Sequence, residues 1–183
     1  IFDRKNYFYP DLPKGYQITQ HYRPLAEEGS FDFEFDSEVK TVRIRRVQIE
    51  EDSGKIIYRD DTGETLVDMN RCGVPLVEII TEPDLRSPQE ARAFLEQLRR
   101  LFRYIGVSDC DMEKGQLRCD VNISVRPAGS TQMRTRTEIK NLNSFSQVEE
   151  ALTLEFERQC RIYQAGGAVT QQTLDYDPRS HRI

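Results

Sequence analysis

The 183 residues suffice for one ordinary domain, and with 37% apolar and 31% charged residues the chain is polar yet able to build a core. A net charge of −5 excludes a whole-domain basic field for nucleic acid, leaving only local clusters such as Arg43, Arg45 and Arg46, or Arg134 and Arg136. Cys72, Cys110, Cys119 and Cys160 form no CxxC pair and no apolar run reaches membrane-span length, so free thiols in a reducing compartment and no membrane are expected.

Residues 1–24 mix Tyr, Pro and Lys without period and read as a structured loop, since Pro10 and Pro13 disfavour helix before them. Phe31, Phe33 and Phe35 alternate with Asp32, Glu34 and Asp36, the pattern of a half-buried strand. A turn over 36–38 and a second strand over 39–49 complete a β-hairpin. Residues 50–65 are charged and contain Gly54 and Gly63, which predicts a loop with a short ribbon near 55–58. The apolar, β-branched run over 74–81 predicts a buried strand. Ser87, Pro88 and Glu90 make a capping box with Pro at the first helical position. The helix they start should run to about 105, burying Ala91, Phe94, Leu95, Leu98, Leu101, Phe102 and Ile105, and stop at Gly106. Residues 117–125 alternate completely, with Leu117, Cys119, Val121, Ile123 and Val125 on one side and Arg118, Asp120, Asn122 and Ser124 on the other. A partner strand is expected over 134–140. Ser144 and Gln147 open a second helix that ends near 165, before Gly166 and Gly167. The predicted class is α+β, with helices packed on a mainly antiparallel sheet.

Several polar residues stand where chemistry could use them. Glu78 interrupts an apolar strand, where a lone carboxylate costs several kcal/mol unless paired, metal-bound or protonated. A salt bridge to an arginine on a neighbouring strand accounts for it as readily. Strand alternation places Glu78 and Glu82 on one face, roughly 13 Å apart. Glu50, Glu51 and Asp52 repel one another, and Mg²⁺ would relieve that, although a solvated acidic turn also fits. Arg118, Asp120 and Asn122 suit a phosphate-bearing ligand beside a metal, but equally an ordinary wet strand face. Lys140 leads into the second helix start, whose N–H groups could hold an anion, while Ser144 is explained by its cap alone. Lys5 and Lys14 flank an aromatic segment, Asn6 to Asp11, that could touch nucleic acid or pack on its own domain. His21 and His181 receive no role. Walker, kinase-loop and G-x-S-x-G patterns are absent.

These stretches occur together in one family. The chain closely resembles the B subunit of the tRNA-dependent amidotransferases and its archaeal relative, the E subunit. The resemblance rests on residues 4–11, 14–18, 50–55, 66–71, 73–78, 82–84, 86–88, 115–122, 138–145, 166–167 and 172–173. It implies a catalytic "cradle" domain similar in fold to glutamine synthetase, of which 1–183 would be a part. It implies ATP- and Mg²⁺-dependent phosphorylation of the side-chain carboxylate on Glu-tRNA(Gln) or Asp-tRNA(Asn). Ammonia from a glutaminase A subunit then displaces phosphate. That chemistry suits a poor acceptor, because the acyl phosphate supplies a leaving group and the domain mainly aligns and neutralises.

By the same resemblance, Glu51 and Glu78 match metal-binding glutamates, and Lys5 and Lys14 match tunnel and active-site lysines. Arg118, Asp120, Asn122, Lys140 and Asn143 match motif positions, and the first four are expected at the cofactor. The implied cofactors are Mg²⁺ and ATP. The implied partners are the A and C subunits and misacylated tRNA, in a bacterial cytoplasm or, for a eukaryote, an organelle matrix. The chain opens at Ile1 and stops at Ile183 as if cut from a longer protein. The family's Gly-Leu-Glu-Val-His segment, with further metal ligands, and its tRNA-binding domains are not in it, so the fragment alone is expected to be inactive. Gln48 stands where many relatives carry His. A docking scaffold without chemistry, or a regulatory carboxylate-binding domain, are the competing classes. A buried pair Glu51 and Glu78 would argue against the scaffold.

Overall fold

The computed structural model describes residues 1–59 and 61–183. The chain forms two compact units, the first from Ile1–Asp32 and Thr41–Asp84, the second from Phe33–Lys40 and Leu85–Ile183. The elements are β1 (Asp3–Asn6), β2 (Tyr16–Thr19), β3 (Ala26–Phe35), β4 (Glu38–Glu51), β5 (Lys55–Arg59), β6 (Glu64–Asp68) and β7 (Pro75–Thr81). They continue with α1 (Pro88–Tyr104), β8 (Val121–Ile123), β9 (Thr137–Lys140), α2 (Phe145–Gln164) and β10 (Thr173–Asp175). The fold is α+β with mostly antiparallel pairing, as the patterning predicts.

In the first unit, residues 1–24 are not only a loop. β1 and β2 pair antiparallel, with Lys5 opposite Gln17. The sequence hides this ribbon because β1 is Asp-Arg-Lys-Asn, with no apolar face to alternate. Backbone bonds carry it instead. Tyr7 N–H donates to the Gly15 carbonyl at 3.1 Å, and Gly15 adopts φ +75°, which only glycine takes without strain. The β3–β4 hairpin, whose tip over Phe33–Lys40 belongs to the second unit, turns through Asp36 and Ser37, both at positive φ (52° and 64°), the primed geometry that matches strand twist. β5 and β6 form a second hairpin, longer than the predicted ribbon.

β4 pairs with β7, setting Gln48 opposite Glu78 and Glu50 opposite Leu76. β7 is not the buried strand its composition suggests. It is the edge of the three-stranded sheet β3-β4-β7, it starts at Pro75, and Val77 is 47% exposed. An edge position explains both the proline and the exposure.

In the second unit, α1 packs on α2, and α2 lies against β8. Ser87 caps α1 by accepting from Glu90 N–H at 3.1 Å, and Ser144 caps α2 through Gln147 N–H at 3.2 Å. In both boxes the third helical side chain reaches one residue further back than the usual box. Glu90 accepts from Arg86 N–H, and Gln147 accepts from Asn143 N–H at 2.8 Å. The buried face of α1 is Ala91, Phe94, Leu95 and Leu98, and each large side chain contributes about 1.5–3 kcal/mol. Its predicted continuation through Leu101 and Ile105 is wrong: both are exposed, because no described element covers the last turn. Phe94 meets Phe33 edge-on at 5.7 Å.

The predicted strand over 117–125 is hydrogen-bonded only over Val121–Ile123: in this antiparallel register 124–125 would face residues ahead of Thr137, where β9 starts, and 117–119 would face 141–143, where the chain has left β9 at Asn141 (φ 63°). The in-out alternation of burial nevertheless holds from 117 to 123. β10 adds to β9 in parallel, which the patterning did not suggest. Under this sheet lie three wholly buried polar side chains: Thr137, Glu155 and Gln159. All four cysteines are free thiols. No helix among the described residues is long and apolar enough to cross a membrane.

Candidate functional site

The predicted site residues fall into two groups, one in each unit. In the first unit, β4 delivers three carboxylates that do not converge. Alternation sends Glu50 to the side of Gln48, and Glu51 to the other. Glu51 Oε1 pairs with Lys14 and accepts from Ile18 N–H at 2.7 Å. Burial pushes this carboxyl up, but Lys14 and the Ile18 N–H outweigh it and hold Glu51 below the usual carboxylate range. Asp52 is buried and meets Arg71 at 3.1 Å. The expected cluster of three adjacent carboxylates is therefore split three ways.

Glu78 is exposed, not buried, yet its carboxyl is crowded. Desolvation of its head and the nearby Glu50 charge push it up, against Gln48, Arg46 and Lys5. The residue that joins them is Gln48, a buried side chain to which the sequence assigned no chemistry. Its Nε2 donates to Glu50 Oε1 at 2.7 Å and to Glu78 Oε2 at 2.5 Å, one proton to each carboxylate. Its Oε1 is buried without a hydrogen-bond partner. Glu50 is held further by Thr19 Oγ1 at 2.7 Å and Gln17 Nε2 at 3.2 Å. So the strand face pairs Glu78 with Glu50, while Glu51 pairs with Lys14. The signal for Glu50 was legible, since its spacing from Gln48 is two residues. Lys14 also lies 4.5 Å over the Tyr16 ring, and Lys5 5.7 Å over Tyr7.

Among the described residues, no three His, Cys, Asp or Glu side chains gather as a metal site. The face still fits Mg²⁺ in donor type. Glu50 and Glu78 are oxygen ligands held close enough to repel, beside an amide oxygen with no partner. Mg²⁺ is usually bound through one or two carboxylates, with waters and phosphates completing its shell.

In the second unit, the sheet β10-β9-β8 turns its polar face outward. Asn122, Glu138 and Thr173 share one rung. Lys140 meets Asp120 at 3.4 Å and Glu138 at 3.7 Å. Burial lowers its affinity for a proton, but those two carboxylates outweigh it and raise the Lys140 ammonium overall. Thr173 Oγ1 donates to Glu138 at 3.1 Å. A cleft of about 330 Å³ opens here, lined by Asn122, Arg136, Glu138, Gln171, Gln172 and Thr173. Arg118 is exposed beside Cys119, whose burial pushes its thiol up to about 12. The structure thus gathers Asp120, Asn122 and Lys140 on one face.

Of the basic clusters, Arg43 and Arg45 are neutralised by two-pronged contacts to Asp84 and Glu82. Arg46 donates to the His21 carbonyl, and Arg134 stacks 4.3 Å over Tyr163. These four do not form a free basic face. Phe8 and Tyr9 are 89% and 62% exposed, so the aromatic segment does not bury itself.

The sequence profile of the GatB/GatE catalytic domain matches residues 1–182. The chain is similar to the B subunit of the aspartyl/glutamyl-tRNA(Asn/Gln) amidotransferase of Persephonella marina, 53% identical over 180 residues, covering 98% of this chain and 38% of that protein. The protein of the same name from Caldicellulosiruptor saccharolyticus is 54% identical over 175 residues, covering 96% and 36%. That of Thermotoga maritima is 54% identical over 180 residues, covering 96% and 37%. The chain thus spans little more than a third of the length of these relatives. It belongs to the GatB/GatE catalytic domain family.

Proposed function

We propose, from that family membership, that the chain is the catalytic part of a tRNA-dependent amidotransferase B subunit. It uses ATP and Mg²⁺ to phosphorylate the side-chain carboxylate of Glu-tRNA(Gln) or Asp-tRNA(Asn). Ammonia from the glutaminase A subunit then displaces phosphate to give the amide. A C subunit and the tRNA complete the assembly, in the cytoplasm of a bacterium. The single observation that carries this reading is the carboxylate face built on Gln48, Glu50 and Glu78.

A docking scaffold has no use for two carboxylates held against each other by a buried amide. An enzyme that must neutralise phosphate does. Glu78 and Glu50 would hold Mg²⁺, whereas Glu51 faces the opposite side of β4 with Lys14 and would not share that face. The bound cation supplies charge neutralisation at the phosphates. Lys14, paired with Glu51, and Lys5 offer positive charge in the same unit. Arg118, Asp120, Asn122 and Lys140 are proposed at the nucleotide. Lys140 is already shared between Asp120 and Glu138, so its part is to orient them rather than to bind a phosphate alone.

The test uses the assembled full-length enzyme carrying Glu50→Gln, Glu51→Gln or Glu78→Gln. Phosphorylation of the misacylated tRNA and glutamine hydrolysis are followed separately. Loss of phosphorylation in Glu78→Gln with intact glutamine hydrolysis supports the reading. Normal phosphorylation in all three variants removes it.

A further inference from the structure

The polar cleft of the second unit has an asymmetry that identifies its ligand. Its lining contains one fixed anion and one uncommitted cation. Glu138 is anchored by Thr173 and Lys140. Arg136 stands two residues before it, just ahead of β9, and lines the same cleft. Among the described residues, Arg136 has no hydrogen-bonding or charged partner, unlike Arg43, Arg45, Arg92 and Arg158. The side chains of Asn122, Gln171 and Gln172 likewise have unused amide groups.

A guanidinium and a carboxylate two residues apart, both lining one cleft, match a small zwitterion. A polyphosphate does not fit inside the cleft, because Glu138 would repel it, so the nucleotide proposed at Arg118, Asp120, Asn122 and Lys140 would border the cleft and not fill it. The volume, about 330 Å³, lies at the low end of small-molecule pockets.

We infer that this cleft receives the aminoacyl group of the misacylated tRNA. Its side-chain carboxylate lies on Arg136 as a two-pronged pair, its α-ammonium on Glu138, and its ester carbonyl near the amide of Gln172. The inference rests on the tRNA-amidating reading and adds to it the recognition of the acid. Arg136 acts by orienting the carboxylate that is to be phosphorylated. A ligand with an amide in place of that carboxylate loses the charge-assisted bonds, which would help the product to leave.

The probes are the α-methyl esters of L-glutamate, L-aspartate and L-glutamine, and N-acetyl-L-glutamate α-methyl ester, titrated into the full assembled enzyme and followed by ligand-observed NMR. Wild type should bind the acidic esters more tightly than the glutamine ester. Arg136→Gln should weaken the acidic esters at least tenfold and leave the glutamine ester unchanged, with partial rescue in Arg136→Lys. Glu138→Gln should weaken the free-amine ester but not its N-acetyl form. In turnover, Arg136→Gln should raise KM for misacylated tRNA without changing binding of uncharged tRNA. Equal ester affinities in wild type and variants, absence of ester binding to wild type, or equal loss of uncharged tRNA binding would each overturn the inference. If wild type phosphorylates misacylated tRNA and Arg136→Gln does so with the same KM, only the cleft assignment falls. If wild type does not phosphorylate it at all, the functional reading falls with it.

Discussion

Replacing Glu155 by Ala should be among the most destabilising single changes in the second unit. The carboxylate is fully buried and receives four hydrogen bonds. Thr137 Oγ1 donates at 2.8 Å, Gln159 Nε2 at 2.7 Å, and Arg158 Nε and Nη2 at 2.7 and 2.9 Å. Removing one partner of a buried ion pair costs about 3–5 kcal/mol, because the other charge and its donors stay behind. Arg158 is 32% exposed and can turn partly to water, so the lower end, about 3 kcal/mol, is expected. Glu155→Gln keeps the shape and one acceptor and should cost about 1–2 kcal/mol.

Linkage gives a second readout from the same residue. Burial opposes ionisation of Glu155, but Arg158, Gln159 and Thr137 outweigh it and hold the carboxyl below its ordinary value. Its contribution is therefore full above the unfolded pKa and is lost as pH falls through the folded one. Wild type should lose stability on acidification in that window, and Glu155→Gln should lose less. Urea unfolding followed by far-UV circular dichroism measures both. A cost below about 1 kcal/mol for Glu155→Ala at neutral pH would refute the reasoning.

Glu78→Gln should raise stability at neutral pH. The Glu78 carboxyl is raised by desolvation and by Glu50, so its cost is absent below the unfolded pKa, grows as pH rises from there to the folded one and is full above it. The gain over wild type should vanish in acid, as read from thermal midpoints across pH. Gln48→Leu removes both donated bonds and leaves Glu50 and Glu78 facing each other. A loss of about 1–3 kcal/mol in urea unfolding is expected, smaller in acid where the carboxyls are neutral. Ser87→Ala deletes the α1 cap and should cost about 1 kcal/mol in the same assay.

Helices were the most legible part of the fold. Ser87 and Ser144 cap where the boxes place them, and the helices end at Tyr104 and Gln164, next to the glycine stops. Their signals are local, so tertiary context could not overrule them. Strand limits depended on partners the sequence does not name. Residues 117–120 alternate like a strand but have no ladder, and β1 has a ladder without alternation. Exposure of β7 depended on its edge position, which composition cannot encode.

In the candidate site, residue types were legible but their grouping was not. Adjacent Glu50 and Glu51 share a motif, yet strand alternation turns them to opposite sides. The amide that joins Glu50 to Glu78 comes from Gln48, which looks inert in sequence because glutamine does not titrate. Arg136 was visible only as one of a basic pair, and the cleft that gives it meaning depends on β10 joining in parallel from 35 residues away.

The most direct measurement of the central claim is amide formation by the full-length assembly with glutamine left out. Misacylated Glu-tRNA(Gln) or Asp-tRNA(Asn) is supplied with ATP, Mg²⁺ and ammonium chloride, and the amino acid released from the tRNA is identified. The account predicts Gln or Asn, dependent on both ATP and Mg²⁺ and lost in Glu78→Gln. Amide formation without ATP, or undiminished in Glu78→Gln, would contradict it.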